Sequence, residues 1–461
     1  MPFLLKSTVF ICWIIVLRPE ILPLVTPSYW GGVKSYRWPL LLLFVYTVYL
    51  FTTLTLPFVG RSAAGALLLL GLCGLYRLRS QHYALNKAEK WLLFSFALFS
   101  VVSIISFFYW PHNRLAQMHL EDYATFLMLV PLYLLLRQFR FDFTWLLVLL
   151  ASSAILLGAV SIAQYVAMKF FQTQIFISNN LWSHIWLRPS GGVNPMRYGA
   201  VSLILAVISL NGILVVRHKA IWLKVMLVLA VGMGLVACFL AQSRGSLLAI
   251  PVLAFAYSVY LYRAGHPRFL MVLAVTAAFL VGGLSQSDRV QRTIGSIEQY
   301  QQGNSRSPLG ARFDMFTAAV ILIKQNPVWG HGLGGYLEGG KEVRKANPGL
   351  HSDVGTWSNP HNEILLVMVE KGIIGLLTLL LLFATPVFLF FKALYSNNQA
   401  VKFYAISGLS LLIVYAVVGQ SVALFQHDVF NHFFTLMVLL FASQVRVIEY
   451  LGDRAAGERP G

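Results

Sequence analysis

The sequence predicts an all-α polytopic membrane protein with about twelve transmembrane helices and one large, partly helical outer loop. Three observations carry that prediction. Of the 461 residues, 58% are hydrophobic and only 11% are charged, whereas a soluble domain averages about 25% charged residues. Apolar runs of about 20 residues, long enough to cross a bilayer, recur along nearly the whole chain. Short basic clusters fall at alternate connections between them, as the positive-inside bias requires.

Taken in order, residues 1–37 are apolar but broken by Pro19, Pro23 and Pro27, and we read them as a hairpin on the inner face. The first apolar run ends at Arg18-Pro19-Glu20 without a small-residue cleavage site, so no cleavable signal is expected. Spans are read at 38–58, 62–76, 91–110, 122–137, 144–168, 197–216, 220–242, 245–262, 268–285, 362–392, 402–424 and 430–449. Charge chooses their orientation. The clusters Arg77/Arg79/Lys87/Lys90, Arg137/Arg140, Arg217/Lys219/Lys224, Arg263/Arg268 and Lys392/Lys402 share one side with Lys6, Arg18, Lys34 and Arg37 and with Arg446, Arg454 and Arg459. That side is the cytoplasm.

Parity then places the alternate connections outside, among them 111–121, 169–196, the 243–245 junction and the long segment 286–361. The last carries eight Lys/Arg against six Asp/Glu, with a helix-like piece at 311–325 and a Gly-rich turn at 330–340. Loops this long inside compact folds are usually functional. The chain thus divides into N-terminal membrane helices with short outer loops (1–285), the outer loop (286–361), and C-terminal membrane helices with a cytoplasmic tail (362–461). The net charge of +18 is spread over inner connections, with no basic tract interleaved with aromatics, so nucleic acid is not an expected partner. Cys12, Cys73 and Cys238 lie in apolar segments without metal-ligand spacing.

The densest polar signal opens a membrane span: Ser358, Asn359, Pro360, His361, Asn362 and Glu363, with Glu370 and Lys371 two turns further on. Asn359 reads as the N-cap and Pro360 as the first helical residue. His361 and Asn362 would then sit in the first turn, where free N–H groups attract anions and keep an imidazole neutral. A neutral histidine beside an anion site suits a general base. Glu363 and Glu370 share a helix face turned to the interior, and Gly372 and Gly375 leave room for a neighbouring helix. Arginines gather on the outer side: Arg188 and Arg197 in "RPSGGVNPMRYG", Arg244 in "AQSRGS" and Arg312 in "GARFDMF", a few residues before His331 in "NPVWGHGLGGY". Arg289 and Arg292 are looser candidates. Gly191 and Gly192 would let backbone approach a ligand. Arginines commonly anchor membrane edges, but this set around one face suits a diphosphate.

The outer loops contain no Asp-x-Asp pair, no HExxH and no cysteine ligand set, so no metal and no cofactor is indicated. There is no Walker A loop and no internal repeat of the transporter kind.

These residues resemble the O-antigen ligase and polymerase family of bacterial envelope glycosyltransferases. His361-Asn362, nine residues, Gly372, two residues and Gly375 fit the family's signature. The arginine-bearing blocks resemble further family blocks in order over roughly 180–380; Met196 departs from the commoner pattern, where asparagine often follows Asn-Pro. The resemblance implies about twelve transmembrane helices with a large periplasmic loop in the bacterial inner membrane. It also implies a metal-independent, inverting transfer of a glycan from undecaprenyl diphosphate to lipid A–core. It maps the catalytic histidine to His361 and the diphosphate-binding arginines to Arg188, Arg244 and Arg312, with Asn362, His331 and Arg197 as further substrate-binding candidates. The alternative within the family is a polymerase extending lipid-linked glycan; outside it, a transporter or flippase gated at the outer face.

Overall fold

Apolar runs leave the backbone no partner but itself within a bilayer, and helices are what form. The computed structural model describes residues 25–27, 37–78, 84–109, 114–173, 188–216, 221–263, 288–302 and 307–455. Their helices are α1 (Arg37–Thr52), α2 (Pro57–Leu78), α3 (Lys87–Tyr109), α4 (Arg114–Met128), α5 (Val130–Leu136), α6 (Phe143–Phe170), α7 (Pro195–Val215), α8 (Ile221–Leu240) and α9 (Arg244–Arg263), followed by α10 (Asp288–Gln301), α11 (Pro308–Gln325), α12 (Gly335–Ala346), α13 (Glu363–Ala393), α14 (Gln399–Val418) and α15 (Asp428–Ala455). Among the described residues nine helices or joined pairs are long and apolar enough to span a membrane, and the apolar stretches Leu41–Thr52 and Phe58–Gly74 are shorter. All eleven correspond to spans read from the sequence. The twelfth, 268–285, and most of the expected inner hairpin lie outside the described residues.

Several boundaries follow from local chemistry. Asp142, Asn194, Ser307 and Asn398 each accept backbone N–H bonds at a helix start, and Pro195 and Pro308 occupy the first turns of α7 and α11. The expected loop at 111–121 is largely helical: α4 begins at Arg114 and is amphipathic, burying Ala116, His119, Tyr123 and Phe126. The sequence places the start of that span only at 122 and leaves 111–121 as a connection. The only β-pairing among the described residues is short: Val25–Pro27 (β1) lies antiparallel to Phe139–Phe141 (β2).

The connections sort to two ends of the bundle. At one end Arg61 pairs with Asp428, Gly192 N–H reaches the Leu54 carbonyl at 2.8 Å, and Glu363 N–H reaches Gly419 at 2.8 Å. At the other end Glu89 is buried against Arg137 (2.9 Å) and Arg446 (3.4 Å), and Gln444 bridges Phe139 and Phe141. This is the alternation that charge parity gives. The core between the ends is aromatic and aliphatic, with Phe99, Phe126, Phe425 and Phe434 in mutual edge and face contact.

α13 is two helices joined at a break. Gly372 sits at φ 59°, ψ −156°, a conformation closed to side-chain-bearing residues without strain. The 21 residues from 373 onward rise about 31 Å, which already matches a hydrocarbon core of about 30 Å. Residues 363–371 are therefore a separate segment at the end of the span, and that is where Glu370 and Lys371 are tolerated. The break frees backbone groups, and the 327–332 turn takes them up. His331 N–H donates to Val369 O (2.6 Å), Gly332 N–H to Glu370 O (3.0 Å), and Ile373 N–H to Pro327 O (2.9 Å). The room at the two signature glycines is thus not for a neighbouring helix. A Cβ at Gly372 would strike the Val328 carbonyl, and one at Gly375 would strike the Cβ of Lys371 on the other side of the break.

Candidate functional site

α9 starts at Arg244, directly after the tight turn Ala241–Ser243, where Gln242 adopts φ 52°. Ser243 Oγ accepts from Ser246 Oγ at 2.9 Å and closes the first turn. The carbonyls ending α8 would be orphaned there. Arg188 supplies their donors, Nε to Ala241 O at 3.1 Å and Nη2 to Gln242 O at 3.2 Å. α11, capped by Ser307, brings Arg312 from the long loop to the same place. Arg188, Arg244 and Arg312 line one cleft of about 190 Å³ with Met196, Gln242, Gly245 and Ser421. The three arginines, dispersed over 125 positions of sequence, converge.

The cleft is electropositive. Among the described residues no carboxylate forms an ion pair with Arg244 or Arg312. Burial, with Arg244 facing it, lowers the pKa of Arg312 below the ordinary guanidinium value. Two like charges lining one cleft, with no carboxylate paired to either among the described residues, suit an anion.

His361 does not line the cleft, but it lies near enough to feel the charge of Arg312. Burial first and the Arg312 charge second push its pKa down to about 4, against a weaker opposite pull from Asp353. The neutrality expected of it therefore stands, but its cause is burial and a cation rather than a helix dipole. The helix starts later than the sequence reading placed it. Asn362, not Asn359, is the N-cap and accepts from Leu365 N–H at 3.0 Å, because Asn359 spends its Oδ1 on the His361 N–H at 3.1 Å instead. His361 itself takes φ 56°, a left-handed conformation costing a side-chain-bearing residue about 1–2 kcal/mol. Such strain persists only where surroundings over-determine it. Here they do: Asn362 Nδ2 reaches the carbonyl (3.4 Å) and side chain (3.3 Å) of Gln420, and Glu363 Oε2 accepts from Leu424 (2.6 Å) and Phe425 (3.3 Å) N–H. The Trp357 ring lies 5.3 Å from the imidazole.

Three expectations need correction. Arg197 does not line the cleft; its Nη2 lies 2.8 Å from His427 Nδ1 and its Nη1 lies 3.9 Å from Asp428, in the cluster that includes Arg61. His331 holds Leu322 O at 2.8 Å through Nε2, so its ring ties down the end of α11. Gly191 and Gly192 pack against protein rather than open to a ligand: their N–H groups go to Gln164 Oε1 (2.8 Å) and Leu54 O (2.8 Å), and a Cβ at Gly191 would strike Leu54. Arg289 and Arg292 have no described side chains. The sequence reading also missed neighbours of the site. Trp357 and Asp353 carry no pattern, whereas the polar pair Gln420-Ser421 ending an apolar run was a usable signal.

Residues 229–380 match the family model described as O-antigen ligase. That matched segment is where the chain is similar to the O-antigen ligase family. It contains Arg244, Arg312, His361 and the Gly372 break, while Arg188 reaches the same cleft from outside the matched segment. That family is one of membrane enzymes acting on lipid-linked glycans, and the similarity supports a glycosyl-transfer-like activity at that coarse level. An uncharacterized protein of Haemophilus influenzae is 24% identical over 368 residues, covering 77% of this chain and 86% of that protein.

Proposed function

We propose that the protein transfers an O-antigen glycan from undecaprenyl diphosphate to lipid A–core oligosaccharide at the periplasmic face of the inner membrane, as an inverting transferase that uses no metal or cofactor. The single observation that carries the reading is the convergence of three arginines on one cleft beside a neutral, strained histidine. A sugar–diphosphate bond is already activated, so the protein has two tasks. Arg188, Arg244 and Arg312 hold the diphosphate and stabilise its charge as it leaves. His361 accepts the proton of the acceptor hydroxyl as that oxygen attacks the anomeric carbon from the opposite side. The anomeric C–O bond to phosphate breaks in the same step, inverting the centre.

The test is a product analysis. Purified protein receives lipid-linked glycan with and without lipid A–core. A ligase puts glycan on lipid A–core and leaves donor alone when the acceptor is missing. Longer lipid-linked chains formed without lipid A–core would assign polymerase activity, and glycan moved across a vesicle membrane without new bonds would assign a transporter.

A further inference from the structure

Glu370 takes no part in the transfer step, yet it is wholly buried at the broken end of a membrane helix. A carboxylate there is tolerated only when fully hydrogen-bonded, and donors from three separate parts of the chain meet it. Its Oε1 accepts from the backbone N–H of Gly334 at 2.9 Å and from Gln426 Nε2 at 2.9 Å, with His119 Nδ1 at 3.2 Å. Oε2 faces the Tyr123 hydroxyl at 3.4 Å. Its main-chain carbonyl, released by the break at Gly372, accepts from Gly332 N–H at 3.0 Å and from the Ser106 hydroxyl at 2.9 Å. The adjacent Lys371 does not compete for the carboxylate: its Nζ donates to Ser103 at 3.0 Å and lies over the Tyr123 ring.

What hangs from Glu370 is the turn that follows α11. Gly332 and Gly334 are docked on it, and His331 between Gly330 and Gly332 reaches back to the last turns of α11 at Leu322. α11 carries Arg312 into the cleft. The path from carboxylate to guanidinium is one short turn and one rigid helix.

We propose that Glu370 is a positioning residue whose carboxylate latches the 327–334 turn to the membrane segment and so sets Arg312 opposite Arg188 and Arg244. This rests on the assignment of those arginines to the donor diphosphate. A carboxylate suits the task better than a neutral acceptor, because bonds to an ionised acceptor are the stronger ones. Glutamine would also bring its own donors against His119 and Gln426.

The test uses the full chain in lipid nanodiscs and two independent readouts. Hydrogen exchange follows 327–346, with α7 and α14 as internal references. Donor-dependent transfer is measured for Glu370→Ala, Glu370→Gln, Arg312→Ala and the double variant Glu370→Ala/Arg312→Ala. Removing a hydrogen bond to a charged group should speed exchange in 327–346 roughly ten- to a hundredfold while leaving the references unchanged. Donor kcat/KM should fall, and the double variant should be no worse than Arg312→Ala alone, the signature of two residues acting as one. Glu370→Gln should lie between wild type and Glu370→Ala, and it carries the test if the alanine variant fails to insert. Unchanged exchange in 327–346, or losses that add in the double variant, would overturn the latch. A wild-type protein with no transfer would instead sink the functional reading, while the exchange result still decides whether the carboxylate docks the turn.

Discussion

His361 poses a question of acid strength. A pKa pushed down to about 4 by burial and by Arg312 makes a weak base, since an efficient one has a pKa near the working pH. Under the proposed function the donor itself supplies the remedy. A diphosphate on Arg312 offsets the positive charge that opposes protonation, so the imidazole becomes more basic once the donor is bound. The direction follows for pH profiles. kcat/KM reports the free enzyme and should fall only as pH drops toward about 4, whereas kcat reports the complex, so its acid limb should lie at higher pH. Coincident limbs would mean that the diphosphate does not sit against Arg312. Arg312→Ala removes a like charge and should move the free-enzyme limb upward, with burial, the larger cause, preventing full return to about 6.5. His361→Ala should leave donor binding intact and lower transfer roughly 10²–10⁴-fold; wild-type turnover in the purified variant would remove the mechanism. Arg244→Ala should cost roughly 10²–10³-fold, and Arg244→Lys should restore only part, since an ammonium lacks the bidentate fork. Full activity of both variants would make Arg244 an anchor to lipid.

At the scale of elements, the broken helix α13 is what turns the signature spacing into a geometry. Its first segment is welded to the 419–425 turn, its break is filled by the 327–332 turn, and the two attachments hold His361 within reach of the Arg312 charge. Gly372→Ala should therefore be costly at a distance from the site. The φ/ψ of Gly372, in a region essentially restricted to glycine, penalises alanine by about 1–3 kcal/mol, and the Val328 carbonyl leaves no room for its methyl group. Gly232→Ala is the matched control: an added Cβ there meets nothing within 4 Å, and alanine in a helix interior is worth up to about 1 kcal/mol over glycine. Thermal melting in detergent should fall for the first and hold or rise for the second; equal behaviour would argue that the break is dispensable. The spans were legible because hydrophobicity over twenty residues is a one-dimensional signal. Arg188, Arg244 and Arg312 were legible because an arginine at an outer helix end must meet an anion, and parity put all three on one side. The break, the Asn362 cap and the fates of Arg197 and His331 were not, because each depends on which distant carbonyl or carboxylate lies beside it. Asn359 and Asn362 are equally good caps in sequence; Asn359's bond to His361 N–H decides between them.

At the scale of the whole molecule, the +18 charge matters through its placement. The structure puts Glu89, Arg137 and Arg446 at one end and the arginine cleft, His361 and the long loop at the other. The charges at the first end do not all report orientation, since Arg137 and Arg446 are turned inward onto Glu89 and contribute packing there. The remaining clusters, from Arg77 to Lys402, still outnumber the basic residues of the short connections at the cleft end, and the near-balanced loop adds little net bias. The positive-inside bias then predicts that the cleft end faces away from the cytoplasm. Single cysteines at Lys87 and Glu342, both exposed and at opposite ends, should then label oppositely with a membrane-impermeant maleimide in a background lacking the native cysteines. Glu342→Cys should react in intact spheroplasts, and Lys87→Cys should react only after the membrane is opened. The reverse pattern would place the arginine cleft in the cytoplasm, where an acceptor delivered at the periplasmic face could not reach it. Labelling of both in intact cells would break the alternation of ends itself.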